Sequence, residues 1–282
     1  MNSTTTHNQL RIWQQNLNKS LTAQLHLLNT ASPQDWDILL IQEPWFGNLT
    51  TRATWSWTVL YSDIYYEDNT ANPRAIILVN TNLSTDSYEQ IQFRSTDVMG
   101  IRIKTSAGPV TLINVYNDCT HNAAMDEVSA YLSRTFPGDH IPDDEHVIMA
   151  GDFNRHHGWW EDERNMHLTS TEALIQPLLD VLYRFDMGMA LPANIPTLQA
   201  LSTGNWTHPD NVWCSNHTTD LFIQCNTNPG LRGPNTDHLP ILSTLDLPTT
   251  RNIPKPTCNF RATDWNKFSD HLAETLPQDE PQ

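Results

Sequence analysis

Four short polar clusters lie far apart in this chain, each beside an apolar run. Gln15-Asn16-Leu17-Asn18, Gln42-Glu43-Pro44 and Gly151-Asp152-Phe153-Asn154 each follow one, and Thr236-Asp237-His238 precedes one at Leu239-Pro240-Ile241. Carboxylates, amides and an imidazole gathered from distant strand ends are the groups that a metal-assisted hydrolase requires. Their oxygens are hard ligands suited to Mg2+ or Mn2+. A bound cation stabilises charge on a phosphoryl group, and a carboxylate or imidazole moves the proton of a water nucleophile.

Asp152 and Asn154 stand two apart at a strand exit, so their side chains are expected to point the same way. The Asp would accept a proton from water while the Asn holds a phosphate oxygen; Gly151 would let the backbone bend beside a ligand. The same residues also suit an Asx turn. Glu43 ends a buried run, where a carboxylate is costly unless paired or metal-bound; an Arg partner or simple exposure would serve as well. His238 needs an orienting acceptor. Adjacent strand residues point apart, so Asp237 should face elsewhere and the acceptor should be distant in sequence. Asp210, opening Asp210-Asn211-Val212-Trp213, is the candidate, and Asp220, before Leu221-Phe222-Ile223, is the competitor. Tyr116, closing Leu112-Ile113-Asn114-Val115-Tyr116, is placed either to donate to a phosphate oxygen or to form a rim. His156 and His157 precede Trp159 and Trp160, but a zinc site would need further Cys or His at suitable spacing. Only His167 is near, so these residues should brace the loop or touch substrate.

These clusters need strands to hold them. Leu10–Asn16 alternates and reads as a strand, followed by a helical face over Ser20–Leu28. Asp37–Ile41, Ala75–Val79 and Val147–Ala150 are continuous apolar runs typical of strands buried on both faces. Strands are also expected over 55–60, 91–93, 100–104, 109–116 and 211–214, with Leu239–Leu245 the last, and helices over His121–Phe136 and Thr171–Tyr183. Roughly five strands per sheet imply two sheets packed face to face with helices outside. Residues 1–9 are expected to be disordered, 10–247 to form the domain, and 248–282 to be a Pro-rich linker followed by a short amphipathic helix carrying Trp265, Phe268, Leu272 and Leu276.

At 282 residues and 38% hydrophobic content the chain can bury a large core. Its formal net charge of −16 argues against a sequence-blind electrostatic clamp on nucleic acid. No CxxC pairs its four cysteines, no apolar run reaches membrane-spanning length, and the first nine residues are polar. An intracellular protein without a membrane partner is expected.

Taken in order, Gln15-Asn16-Leu17-Asn18, Gln42-Glu43-Pro44, Asn114-Val115-Tyr116-Asn117, Gly151-Asp152-Phe153-Asn154, Asp210-Asn211-Val212-Trp213 and Thr236-Asp237-His238-Leu239-Pro240 resemble the endonuclease/exonuclease/phosphatase superfamily, of DNase I and apurinic-endonuclease type. Gly151-Asp152-Phe153-Asn154-Arg155-His156-His157-Gly158-Trp159-Trp160 is similar to a stretch in endonucleases of non-LTR (LINE-type) retrotransposons, and Phe260–Phe268 resembles the segment leading toward their reverse transcriptase. The resemblance implies a four-layered α/β sandwich with the site at one end. It makes Glu43 the main Mg2+ ligand (Mn2+ as a substitute), helped by Asn16 and Asp237. Asp152 and Asn154 align the water and hold the phosphate. His238, oriented by Asp210, contacts the scissile phosphate or acts as base, and Tyr116 contacts the phosphate. The implied act is nicking duplex target DNA, in the nucleus, to leave a 3′-hydroxyl that primes reverse transcription. No reverse transcriptase domain follows in this sequence, which therefore looks like a truncated or domesticated element or an excised domain. The rival readings are a phosphoesterase of the same fold acting on a small or lipid phosphate ester, and a decayed domain that binds without catalysis. The chain departs from its relatives at Asn18, where an acidic residue is common, at Thr236 for Ser and at Gly158 for Pro. Arg74, Arg102, Lys104, Arg155 and Arg232 are the cations expected to line a DNA-facing surface.

Overall fold

The computed structural model describes residues 4–7, 9–46, 55–68, 71–252 and 264–275. In chain order the strands and helices are β1 (Thr4–His7), β2 (Leu10–Asn16), α1 (Leu21–Thr30), β3 (Ile38–Gln42), β4 (Trp57–Leu60), α2 (Asp63–Glu67), β5 (Ala75–Asn80), β6 (Tyr88–Ile91), β7 (Val98–Thr105), β8 (Gly108–Tyr116), α3 (Ala123–Thr135), β9 (His146–Asp152), α4 (Glu172–Arg184), β10 (Met187–Met189), β11 (Leu198–Gln199), β12 (Trp206–Thr207), β13 (Asp210–Ser215), β14 (Phe222–Thr227), β15 (Ile241–Leu245), β16 (Thr249–Asn252) and α5 (Trp265–Thr275).

Two six-stranded sheets form, in the orders β14-β15-β2-β3-β5-β4 and β10-β13-β9-β8-β7-β6. Each contains one parallel pair, β2–β3 and β8–β9, and is otherwise antiparallel. Alternation explains the layers. Leu10, Ile12, Ile38, Leu40, Ile77 and Val79 of the first sheet meet Ile101, Ile103, Val110, Leu112, Ile148, Ala150, Val212 and Cys214 of the second in one buried cluster. The opposite faces are covered by helices. Trp13, Leu39, Ile41 and Ile76 pack with Ala23 and Leu27 of α1, while Ile113, Val115, Val147 and Met149 pack with Met125, Val128 and Leu132 of α3 and Leu178 and Val181 of α4. The result is the expected four-layered α/β sandwich.

Several expectations shift. Residues 4–7, expected to be disordered, pair antiparallel with Thr249–Asn252 inside the expected linker, so β15 is not the last strand. Both segments are short, polar and Thr-rich, which masks the strand preference of a β-branched residue. Arg251 on β16 pairs with the buried Asp37, which also accepts from Arg11 Nε at 3.1 Å. β6 begins at Tyr88 and overlaps the expected 91–93 only at Ile91. β14 is an edge strand with half its positions exposed, so its apolar pattern is weak. Helix α5 forms where amphipathic spacing predicts, with Trp265, Phe268 and Leu272 exposed; Thr263 and Leu276 lie outside the described residues. No helix among the described residues is long and apolar enough to cross a membrane.

Candidate active site

The inter-sheet face of each central strand is apolar along its length and turns polar at one end. Leu10 and Ile12 give way to Gln14 and Asn16, Leu40 to Gln42, Leu112 to Asn114 and Tyr116, Ala150 to Asp152, and Val212 to Asp210. Registers place these ends side by side: Asn16 is level with Gln42, Tyr116 with Asp152, and Asp152 with Asp210. Hydrogen bonds join the sheets directly at this end, among them one from Asn16 Nδ2 to Asp152 Oδ2 at 2.8 Å.

His238 lies just before β15 and is buried. Its Nδ1 sits 3.1 Å and 2.9 Å from the two carboxylate oxygens of Asp210. Asp210, and not Asp220, is therefore its partner; Asp220 lies in the 216–221 turn, lining a separate cavity with Asp139 and His217. The other imidazole nitrogen, Nε2, faces Asp152 at 3.9 Å and Asp237 at 3.8 Å. Asp237 thus does not point elsewhere, as adjacency in a strand suggested: His238 precedes β15, where strand alternation does not apply. Burial opposes the His238 imidazolium, but Asp210, Asp152 and Asp237 outweigh it and raise its pKa to about 10. Burial and the nearby Asp210 raise the pKa of Asp152 well above the usual carboxylate range, against the opposing pull of His238 and of hydrogen bonds from Asn16 and Asn154.

Asn154 reaches Asp152 by a different route from the one its spacing suggested. The strand ends at Asp152, and Asn154 adopts a left-handed φ of 49°. Its backbone N–H donates to Asp152 Oδ1 at 2.9 Å, and its amide donates to Asp152 Oδ2 at 3.2 Å and to the Asn117 carbonyl at 2.9 Å. The Asx turn and the convergence are both real. Gly151 has a φ of 152°, and a Cβ there would meet the Val115 carbonyl oxygen at 1.9 Å. It permits close packing of β8 on β9, not the approach of a ligand.

Glu43 follows β3 with a φ of 45°. Its carboxylate pairs with Lys19 Nζ at 3.1 Å rather than with an Arg. Asp237 accepts from Asn18 Nδ2 at 3.3 Å, so the substituted Asn18 is turned toward a candidate ligand. Tyr116 lies under the Arg74 guanidinium, whose carbon is 4.7 Å from the ring centroid. Burial, then Glu43 and Asp152, push the Tyr116 pKa up, so the phenol stays a neutral donor. Arg74 is itself gripped by Asp97 and Asp118, at 2.5 Å each.

One group of side chains among the described residues gathers metal-ligating atoms here. Asp152, Asp210 and His238 hold theirs within 4.8 Å of one another. In that group, however, Asp210 Oδ2 already accepts from Thr197 Oγ1 at 2.7 Å and from His238, and its other oxygen accepts from Gln14 Nε2 at 3.4 Å. That leaves a hydrogen-bonded relay with little free ligating capacity. Glu43, Asp237 and Asn16 carry oxygens of the hard type that a Mg2+-like cation takes, with Asn16 Oδ1 accepting from the Asn18 backbone N–H at 2.8 Å. Lys19 holds Glu43 with a side chain 66% exposed, so it can yield to a cation.

His156 braces its loop: Nδ1 meets Glu161 Oε1 at 2.5 Å, and the same oxygen accepts from His208 N at 2.8 Å. Among the cations expected to face DNA, Arg155 is fully buried and donates to the carbonyls of Leu174, Asp118, Asn154 and His121. Arg102 pairs with Glu145 and Arg232 donates to Gln199. Sequence reasoning passed over Gln14 and Thr197; strand parity would have flagged Gln14, an amide on the inward face after Leu10 and Ile12.

Residues 110–242 match the model of a family described as endonuclease-reverse transcriptase. The endonuclease domain of TRAS1, a telomere-specific non-LTR retrotransposon, superposes with a TM-score of 0.63 at 19% identity, covering 84% of this chain and 98% of that one. An AP endonuclease from Leishmania major gives a TM-score of 0.63 at 12% identity over 88% of this chain and 89% of its own. One from Archaeoglobus fulgidus gives 0.57 at 14% identity over 84% and 99%. A search of curated proteins finds no match.

Proposed function

We propose, for a chain with a DNase I-like fold and a family match over residues 110–242, a metal-dependent phosphodiesterase that nicks one strand of duplex DNA and leaves a 3′-hydroxyl, in the manner of a retrotransposon endonuclease. The observation that carries it is the junction of His238, Asp210, Asp152 and Asn16 across two sheets. The TRAS1 likeness and the family match support the retrotransposon type over a small-ester phosphatase.

Glu43, Asn16 and Asp237 would hold the divalent cation. When bound, it supplies charge stabilisation on the phosphoryl and leaving oxygens. The side chains divide the remaining work. A raised pKa suits Asp152 to take a proton from water near neutral pH. His238, kept as imidazolium by Asp210, presents Nε2–H as a donor to a phosphate oxygen, which makes it an electrophile and not the base. Tyr116 donates from a neutral phenol. Asn154 is committed to Asp152 and the Asn117 carbonyl, so it orients the carboxylate.

Incubation of supercoiled plasmid with Mg2+ tests this reading. Open circles whose nicks a polymerase extends without prior phosphatase treatment are the expected result. Release of phosphate from a small ester without nicking would overturn it in favour of the small-substrate reading, and inertness toward both substrates in Mg2+ and Mn2+ would favour a domain that binds without catalysis.

A further inference from the structure

Three buried amides cross the sandwich beside the site. Asn114 on β8 donates from Nδ2 to two backbone carbonyls of the opposite sheet, Ile41 at 3.0 Å and Ile76 at 2.8 Å. Its Oδ1 must therefore be an acceptor, and Gln42 Nε2 donates to it. Gln42 then offers only Oε1 to Gln14, whose Nε2 donates to it at 2.8 Å. The remaining proton on Gln14 Nε2 points to Asp210 Oδ1 at 3.4 Å. Backbone carbonyls two strands away thus dictate that Asp210 meets an N–H and never a carbonyl.

We infer that the Gln14–Gln42–Asn114 chain is a positioning device for the Asp210–His238 pair; this rests on the proposed reading of those two residues as reaction groups. A core-filling role does not account for it. All three amides are at most 1% exposed and lie where the apolar inter-sheet layer gives way to the polar end of the site. Buried amides are costly unless satisfied, and apolar side chains of similar size would fill the layer. Gln14 Oε1 forms no hydrogen bond among the described residues, so the amide is oriented by its duties to Gln42 and Asp210 and not by its own satisfaction. Thr197 Oγ1 holds the other Asp210 oxygen. Between them, Gln14 and Thr197 fix the carboxylate plane, and so the direction in which His238 Nε2 points.

Gln14→Met keeps the volume and removes the donor. The turnover of plasmid nicking is expected to fall about 10- to 100-fold, the scale of a small misalignment at a reacting group, with DNA affinity changed less than about two-fold. The loss should vanish in an Asp210→Asn background, because coupled residues are non-additive. In the proton spectrum the hydrogen-bonded Nδ1 proton of His238 should shift or broaden. An equal loss in both backgrounds, or an unmoved Nδ1 proton, overturns the inference. Gln42→Met, which frees Gln14 to flip, makes the same test if Gln14→Met does not fold. Should wild type nick no DNA, the functional reading fails while the His238 resonance still decides the positioning role.

Discussion

His238 makes two kinds of approach to carboxylates, and the difference sets its chemistry. Nδ1 is within hydrogen-bond distance of Asp210, whereas Nε2 stands 3.8 Å and 3.9 Å from Asp237 and Asp152. The folded pKa is raised from 6.5 to about 10. A raised pKa stabilises the fold fully below the unfolded value and loses that contribution as pH rises through the folded one. Asp152, also raised, has the same sign. Thermal melts are therefore expected to show a melting temperature that falls from pH 6.5 toward about pH 10, with a shallower fall in His238→Gln; parallel curves would contradict the assignment. The motif residues were legible in the sequence because each ends or begins an apolar run. Their orientations were not: Asn154 sits in a left-handed turn and Asp237 beside Nε2, both set by backbone outside the strands, where strand periodicity carries no information.

At the scale of the elements, β8 and β9 run parallel and so close that the Val115 carbonyl occupies the space where a Cβ of residue 151 would lie. Gly151→Ala adds both that clash and an unfavourable φ. It is expected to destabilise the domain by about 3 kcal/mol or more, read as a shift in the urea midpoint; a change under about 1 kcal/mol would show that the two strands can part. Because Tyr116 and Asp152 end these strands, residual activity should fall further than stability alone accounts for. The long central strands were plain from unbroken apolar runs such as Ala75–Val79. Those missed were the three-residue β10, the two-residue β11 and β12, the edge strand β14 and the Thr-rich β1 and β16, each stabilised by pairing and not by a pattern of its own. Arg155 shows the same limit for a side chain. Its charge predicted a surface position, yet its guanidinium links the loop after β9 to carbonyls around residues 118–122 and 174.

For the whole molecule, the excess of 32 acidic over 16 basic residues is not relieved near the site. Arg74 is matched by two carboxylates, Arg102 by one and Lys19 by Glu43. Among the described residues, these three cations are already paired and are not free to displace counterions from DNA. The slope of log affinity against log salt is expected to lie between about −1 and −3; a slope near −8 would mean that a basic surface forms on binding. The sequence charge forecast this acidity, but not that Arg74, Arg102 and Arg155 of the expected basic face would be spent on internal contacts. A divalent cation held by Glu43 is expected to work with the Asp210–His238 pair to break DNA strands. The most direct measurement is the rate of supercoiled-plasmid nicking by wild type, Glu43→Gln and Asp210→Asn, each with Mg2+ and with chelator. Wild type should nick only with Mg2+, and both folded variants should be slower by about 100-fold or more. Wild-type nicking that survives chelation, or a Glu43→Gln enzyme as fast as wild type, would contradict it.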